Sequence, residues 1–167
     1  SRRFQVFHLA RADFPVPMTV RSPHTVRKSV LVPYPAAGMY ALVERVEDYP
    51  KFLPWCGGTD VKRHDDGSMT ATVRIDFRGI RQSFTTLNTH QPSSAIRMNL
   101  RDGPFTHLHG EWRFTPLRDD ASKVEFMLEY RFAGGLLGRA LQPIFDHIAR
   151  SFVDAFVRRA EQLHRAA

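Results

Sequence analysis

The chain has 167 residues, 43% of them hydrophobic and 11% aromatic, with a formal net charge of +7 at pH 7 and a pI near 10.2. That length suits one domain, and that apolar content excludes a wholly disordered chain. A single cysteine, Cys56, excludes an internal disulfide, and no apolar run approaches the roughly 18–20 residues of a membrane-spanning helix. The basic excess points instead to polyanions: nucleic acid, ribonucleoprotein or an anionic membrane surface. Of the 24 basic residues only Lys28, Lys51, Lys62 and Lys123 are lysines. Arginine is the better phosphate fork, although a GC-rich coding bias produces the same usage.

Residues 1–25 carry Arg2, Arg3, Arg11 and Arg21 against one acid, Asp13, together with Pro15, Pro17 and Pro23. They show no clean period and are expected to form a flexible basic tail ahead of a domain spanning 26–165. They lack the apolar core of a secretory signal; an Arg-rich organelle presequence is the alternative, and Met18 is a candidate start.

From Val26 the pattern becomes regular. Val26, Lys28, Val30 and Val32 alternate with Arg27, Ser29 and Leu31, which predicts a strand ending at Pro33. Pro35 suits the first position of a helix carrying Met39, Leu42, Val43 and Val46. Asp48 is expected to cap a short turn, Tyr49 to Leu53, that Pro54 ends. Strand patterns follow, with inner rows Met69-Ala71-Val73-Ile75-Phe77, Ile80-Gln82-Phe84-Thr86, Ile96-Met98-Leu100, Leu108-Gly110-Trp112-Phe114 and Val124-Phe126-Leu128-Tyr130-Phe132. Arg78-Gly79 is a two-residue hairpin turn. One apolar and one polar face per strand signals an antiparallel sheet wetted on one side.

After Gly134-Gly135, the residues Leu137, Leu141, Phe145, Ile148, Phe152, Phe156, Ala160 and Leu163 recur at helical steps. They predict one amphipathic helix of about 28 residues, roughly 42 Å long, with a kink expected near Pro143. The fold class is therefore α+β: about seven antiparallel strands curled around a long C-terminal helix, the only element large enough to cover the apolar face. Where helix and strands diverge, a gap for an apolar ligand is expected. The segment DYPKFLPWC, residues 48–56, is placed to roof it.

LVPY (31–34), MYALV (39–43), YPKFLPWC (49–56), GIRQSFTTLN (79–88), DGPFTHLHGEWRFTPL (102–117) and VDAFVRRAEQL (153–163) together resemble the bacterial ribosome-association toxin family RatA. That family is similar to the mitochondrial coenzyme Q-binding START-domain proteins. The resemblance covers residues 26–165 and implies the helix-grip fold of the polyketide cyclase/START-like superfamily (START/Bet v1-like). It also implies two functions: quinone carriage in a hydrophobic tunnel in support of respiration, or binding of the large ribosomal subunit so that it does not join the small one.

Candidate ligand-binding residues are Tyr49, Phe52, Leu53 and Trp55 as a lid, and Phe77, Gln82, Phe84, Met98, Leu100, Trp112, Phe114, Phe126, Phe145, Phe152 and Phe156 as walls. Plain core packing of the same rings is the competing reading. Gln82 or Tyr49 is the candidate head-group contact. Arg74, Arg81, Arg97, Arg101, Arg113 and Arg131 point outward, interleaved with Asp76, Glu111, Glu125 and Glu129; they form either a phosphate-contacting surface or a solvated mixed-charge face. Enzyme chemistry finds little support. Cys56 has no adjacent base, His107 and His109 lie on a solvated face, and the 134–138 glycines lack the lysine of a phosphate loop. The leading expectation is a non-enzymatic binder of an isoprenoid lipid such as ubiquinone, with no required cofactor or metal. The alternatives are a ribosome-association toxin and, more distantly, a polyketide-type cyclase. A cytoplasmic location, with peripheral contact to an anionic inner membrane as an option, fits either of the first two. The oligomeric state is left open.

Overall fold

The computed structural model describes residues 23–166. Most of the basic tail expected over residues 1–25 therefore lies outside the described residues. Strand β1 spans His24–Val32, two residues longer at its start than the period suggests. Pro35 is the N-cap of helix α1, Ala36–Glu44, rather than its first residue, and a 3₁₀ helix, Val46–Lys51, follows. The second turn thus starts three residues before Tyr49, with Arg45 and not Asp48 at its cap. The Asp48 carboxylate instead accepts from Arg45 Nε at 3.0 Å and pairs with Lys51 Nζ at 3.0 Å.

Six further strands complete one sheet: β2 Cys56–Arg63, β3 Met69–Phe77, β4 Ile80–Gln91, β5 Ala95–Asp102, β6 Phe105–Arg118 and β7 Ala121–Phe132. The spatial order is β1-β7-β6-β5-β4-β3-β2, with every neighbouring pair antiparallel. β2 has no legible alternation in the sequence. Its two glycines and a bulge between Cys56 and Gly58 interrupt the pattern, and it lies on a sheet edge. The β3–β4 turn is as expected: Arg78 (φ 51°) and Gly79 (φ 79°) both take positive φ, the condition of a type I′ hairpin.

Helix α2, Leu136–Arg165, runs 30 residues and continues through Pro143. Pro143 cannot donate to the preceding turn, but it is exposed, so water can reach the freed carbonyl. The helix buries Leu141, Phe145, Ile148, Ala149, Val153, Phe156 and Ala160 against the inner face of the sheet. Each such large apolar side chain contributes about 1.5–3 kcal/mol. Lys28, the one cation on the inner row of β1, escapes a desolvation penalty by pairing with Asp154 of α2 at 2.9 Å. Tyr130 of β7 donates to Asp146 at 3.3 Å, and Arg150 holds the other carboxylate oxygen at 2.8 Å. The sheet packs on its helix as the periodicities predict, in the helix-grip arrangement that the resemblance implies.

Candidate functional site

The segment 48–56 folds as it does because its two prolines and its aromatics act together. The 3₁₀ helix ends at Lys51, and the Phe52 and Leu53 amides both bond back to the Tyr49 carbonyl. The Tyr49 ring then enters the core, edge-on to Phe52, Phe152 and Phe156. Its hydroxyl donates to the Val43 carbonyl at 2.5 Å. Val43 sits in the last turn of α1, where carbonyls lack intrahelical partners, so Tyr49 closes that helix. Burial, and then the nearby Glu44 carboxylate, push the Tyr49 phenol well above its ordinary value, which keeps it neutral and a donor. The lid is thus pinned to α1 on one side and to α2 on the other.

Beneath the lid lies a cavity of about 70 Å³ between β3–β7 and α2. Tyr49, Trp55, Phe84, Met98, Phe126, Phe145 and Phe152 of the expected set line it, joined by aliphatic residues such as Val73, Leu128 and Ile148. Trp112, Phe114 and Phe156 do not reach it. They form an aromatic cluster in the core, with Trp112 stacked on Phe114, 4.5 Å from Phe126 and edge-on to Phe156 at 5.3 Å between ring centroids. Trp112 is 0% exposed, and its indole N–H has no partner among the described residues. Leu53 is buried core, and Phe52 is half-buried under the Arg159 guanidinium, 5.3 Å from its ring centroid. Phe77 stacks on His147 near the β3–β4 turn, Leu100 is a half-buried residue packed against the core, and Gln82 borders a separate void of about 10 Å³. The shared inner face is as expected. The allocation of its residues between cavity and solid core follows from sheet curvature, which a period of two does not encode.

The head-group assignment changes as well. Tyr49 is committed to Val43, and Gln82 is outside the main cavity. The polar groups that the sheet presents to it are Thr86 and Asn88, in phase with Phe84 on β4. Thr86 Oγ1 donates to Asn88 Oδ1 at 2.7 Å, and both residues are buried. Asn88 lies one step beyond the Ile80-Gln82-Phe84-Thr86 row and is not among the residues that the sequence singles out.

The outward arginines lie where alternation puts them, but most are neutralised. Arg74 bonds Asp60 at 2.5 Å, Arg113 bonds Glu111 at 2.7 Å, and Arg97 and Arg81 approach Glu111 and Asp76 at 3.9 and 3.7 Å. Arg101 is exposed and has no carboxylate partner among the described residues. Arg131 also lies on this face. Exposed pairs of this kind are worth only about 0–1 kcal/mol each, so a phosphate can displace their carboxylates at small cost. The Cys56 thiol is buried and pushed up by that burial, and it contacts the Gly58 carbonyl at 3.6 Å. No group of three metal-ligating side chains, and no helix long and apolar enough to cross a membrane, is present among the described residues.

Residues 32–157 match the sequence profile of a family described as polyketide cyclase / dehydrase and lipid transport. A ribosome association toxin RatA of Pseudomonas aeruginosa is 41% identical over 139 residues, which is 83% of this chain and 96% of that protein. A mitochondrial coenzyme Q-binding protein of Drosophila melanogaster is 28% identical over 78% of this chain and 56% of its own length. Among solved structures, an aromatase/cyclase from a Streptomyces species superposes with a TM-score of 0.72 at 17% identity, over 83% of this chain and 94% of that one, a likeness of fold alone. By its profile match and its RatA relatives, the chain belongs to the polyketide cyclase / dehydrase and lipid transport family, in the company of the RatA proteins.

Proposed function

We propose that this protein associates with the ribosome and acts there as an inhibitor of subunit joining, through its arginine-bearing surface and without catalysis. The observation that carries this reading is the 41% identity to a RatA protein, which spans nearly the whole of that relative. The charge supports it: the chain carries +7 formally, and its outer sheet offers arginines whose carboxylate partners are weakly held. The cavity wall supports a binding role over an enzymatic one. Among the described residues its one phenol, Tyr49, is engaged and held neutral, and no carboxylate, histidine or cysteine lines it. A cytoplasmic location goes with this reading. The leading expectation from the sequence, ubiquinone carriage, takes second place.

Co-sedimentation with purified large subunits across a potassium chloride series tests the proposal. Six to ten phosphate contacts predict an affinity loss of about 10³–10⁵ between 50 and 200 mM salt. Arg97→Glu with Arg101→Glu is expected to weaken binding and flatten the slope. Absence of the protein from the large-subunit fraction at low salt would refute the proposal.

The second reading is a hydrophobic ligand of the quinone type, favoured by the aromatic cavity beneath the lid. At about 70 Å³ the cavity is less than half of the ~150 Å³ that accommodates benzene. A quinone ring would therefore enter only with displacement of Trp55, Phe152 or Met98.

A further inference from the structure

We propose that the amide of Asn88 makes the cavity selective for uncharged hydrophobic molecules bearing a carbonyl, with Thr86 as the residue that orients it. This goes beyond ribosome binding. It rests on the second reading, that the cavity admits an uncharged hydrophobic ligand, and adds the group that would recognise it.

Asn88 is 4% exposed and lines a cavity whose walls, apart from Thr86, are apolar or aromatic. On the sheet it lies between Met69 of β3 and Met98 of β5. Its Oδ1 is taken by the Thr86 hydroxyl at 2.7 Å, which fixes the amide with its Nδ2 hydrogens free of any partner among the described residues. A donor buried in apolar surroundings is costly until an acceptor meets it. The chemistry of that acceptor is restricted. Among the described residues no lysine, arginine or histidine lines the cavity, so a carboxylate would be buried without a counter-ion, which is far more costly than burying a neutral carbonyl. Ketones, esters and quinone-type carbonyls fit; ionised fatty acids do not.

One substitution would close the cavity from the sheet side. Met98 is flexible, and its methyl occupies room left by the missing side chain of Gly110: a Cβ there would stand 2.5 Å from Met98 Cε and 3.3 Å from Leu128 Cδ1. Both of those side chains border the cavity. Gly110→Ala therefore drives Met98 into the cavity and closes it, while leaving Thr86 and Asn88 in place.

The test uses 2-heptanone, n-heptane and heptanoate as probes at neutral pH, followed by nuclear magnetic resonance of the ¹⁵N-labelled chain. The expected result is that heptanone shifts both the Asn88 side-chain amide and the Trp55 indole, heptane shifts the indole alone, and heptanoate shifts neither. Asn88→Leu should reduce the ketone-over-alkane preference by about ten- to a hundredfold. Thr86→Val should reduce it as well, and Thr86→Ser should retain it, which a merely structural role for the hydroxyl would not require. Gly110→Ala should abolish binding of both neutral probes. Should Asn88→Leu not fold, the wild-type amide shift and the Gly110→Ala result still decide. Heptanone that moves Trp55 without moving Asn88, or a preference that survives Asn88→Leu, overturns the role of Asn88 while leaving ligand entry intact. No perturbation of any lining residue by any probe overturns both this inference and the second reading.

Discussion

Replacing Tyr49 with phenylalanine removes one oxygen from the lid and leaves its ring in place. In the wild type that oxygen donates to the Val43 carbonyl at 2.5 Å. Val43 is 2% exposed, and no backbone amide outside the regular helices and strands donates to its carbonyl. The change therefore strands a buried acceptor and does more than delete a bond. The cost of such an orphan is about 1–3 kcal/mol, against about 0.5–1.5 kcal/mol for a typical exchange of hydrogen bonds with water. For a domain of this size, 1 kcal/mol corresponds to a shift of roughly 2–4 °C in Tm, so a fall of about 2–12 °C is expected. Urea denaturation followed by the fluorescence of Trp55 and Trp112 measures it, because both indoles are buried and report the lid and the core separately. The same variant should bind 2-heptanone like the wild type, since the hydroxyl serves α1 and not a ligand. A stability change below about 0.5 kcal/mol would show that the carbonyl is satisfied by water and that the lid is not pinned as described. Lost heptanone binding without lost stability would return the hydroxyl to the head-group role.

Other expectations follow from the same packing. Trp112→Ala should cost about 3–5 kcal/mol, as a large ring removed from a fully buried site does. Trp112→Phe should cost less than half of that, because it also removes an N–H that lacks a partner; equal losses in urea melts would contradict this. The Cys56 thiol, buried and held protonated, should react with iodoacetamide at pH 7.5 about a hundredfold more slowly in the native than in the urea-unfolded chain, and comparable rates would mean that the lid opens freely. Hydrogen bonding from Lys51 is the largest effect holding the Asp48 carboxyl below its usual value, and Arg45 assists. Its folded value is depressed, so its contribution is present above the ordinary carboxylate value of about 3.9 and is lost as pH falls through the folded value. Asp48→Asn should therefore be less stable than wild type by about 0.5 kcal/mol at pH 6, with the two converging near pH 2; a constant gap across that range would remove the ion pairs as its cause.

Much of this architecture is a local matter and can be read without coordinates. Alternation in β3–β7 follows from the two-residue repeat of a strand, and the length of α2 from steps of three and four between Leu137 and Leu163. Gly79 marks its turn, because a residue without a Cβ takes positive φ at no steric cost, and Arg78 joins it in that region. The aromatic content of the lid, and the outward direction of the arginines, are equally plain from the sequence. Other features depended on tertiary structure. β2 exists because β3 offers it an edge to pair with, not because Cys56–Arg63 alternates. Trp112 and Phe126 share an inner face, yet only Phe126 meets the cavity, because the curl of the sheet decides which rings face a void and which face one another. Outward arginines became ion pairs only when β2 brought Asp60 beside Arg74 and β6 brought Glu111 beside Arg97. Asn88 acquired meaning last: its donor matters because Thr86 holds its oxygen and because four other strands and a helix surround it with mostly apolar walls. A repeat of two or of 3.6 is set by neighbours along the chain; desolvation is set by residues far away in it.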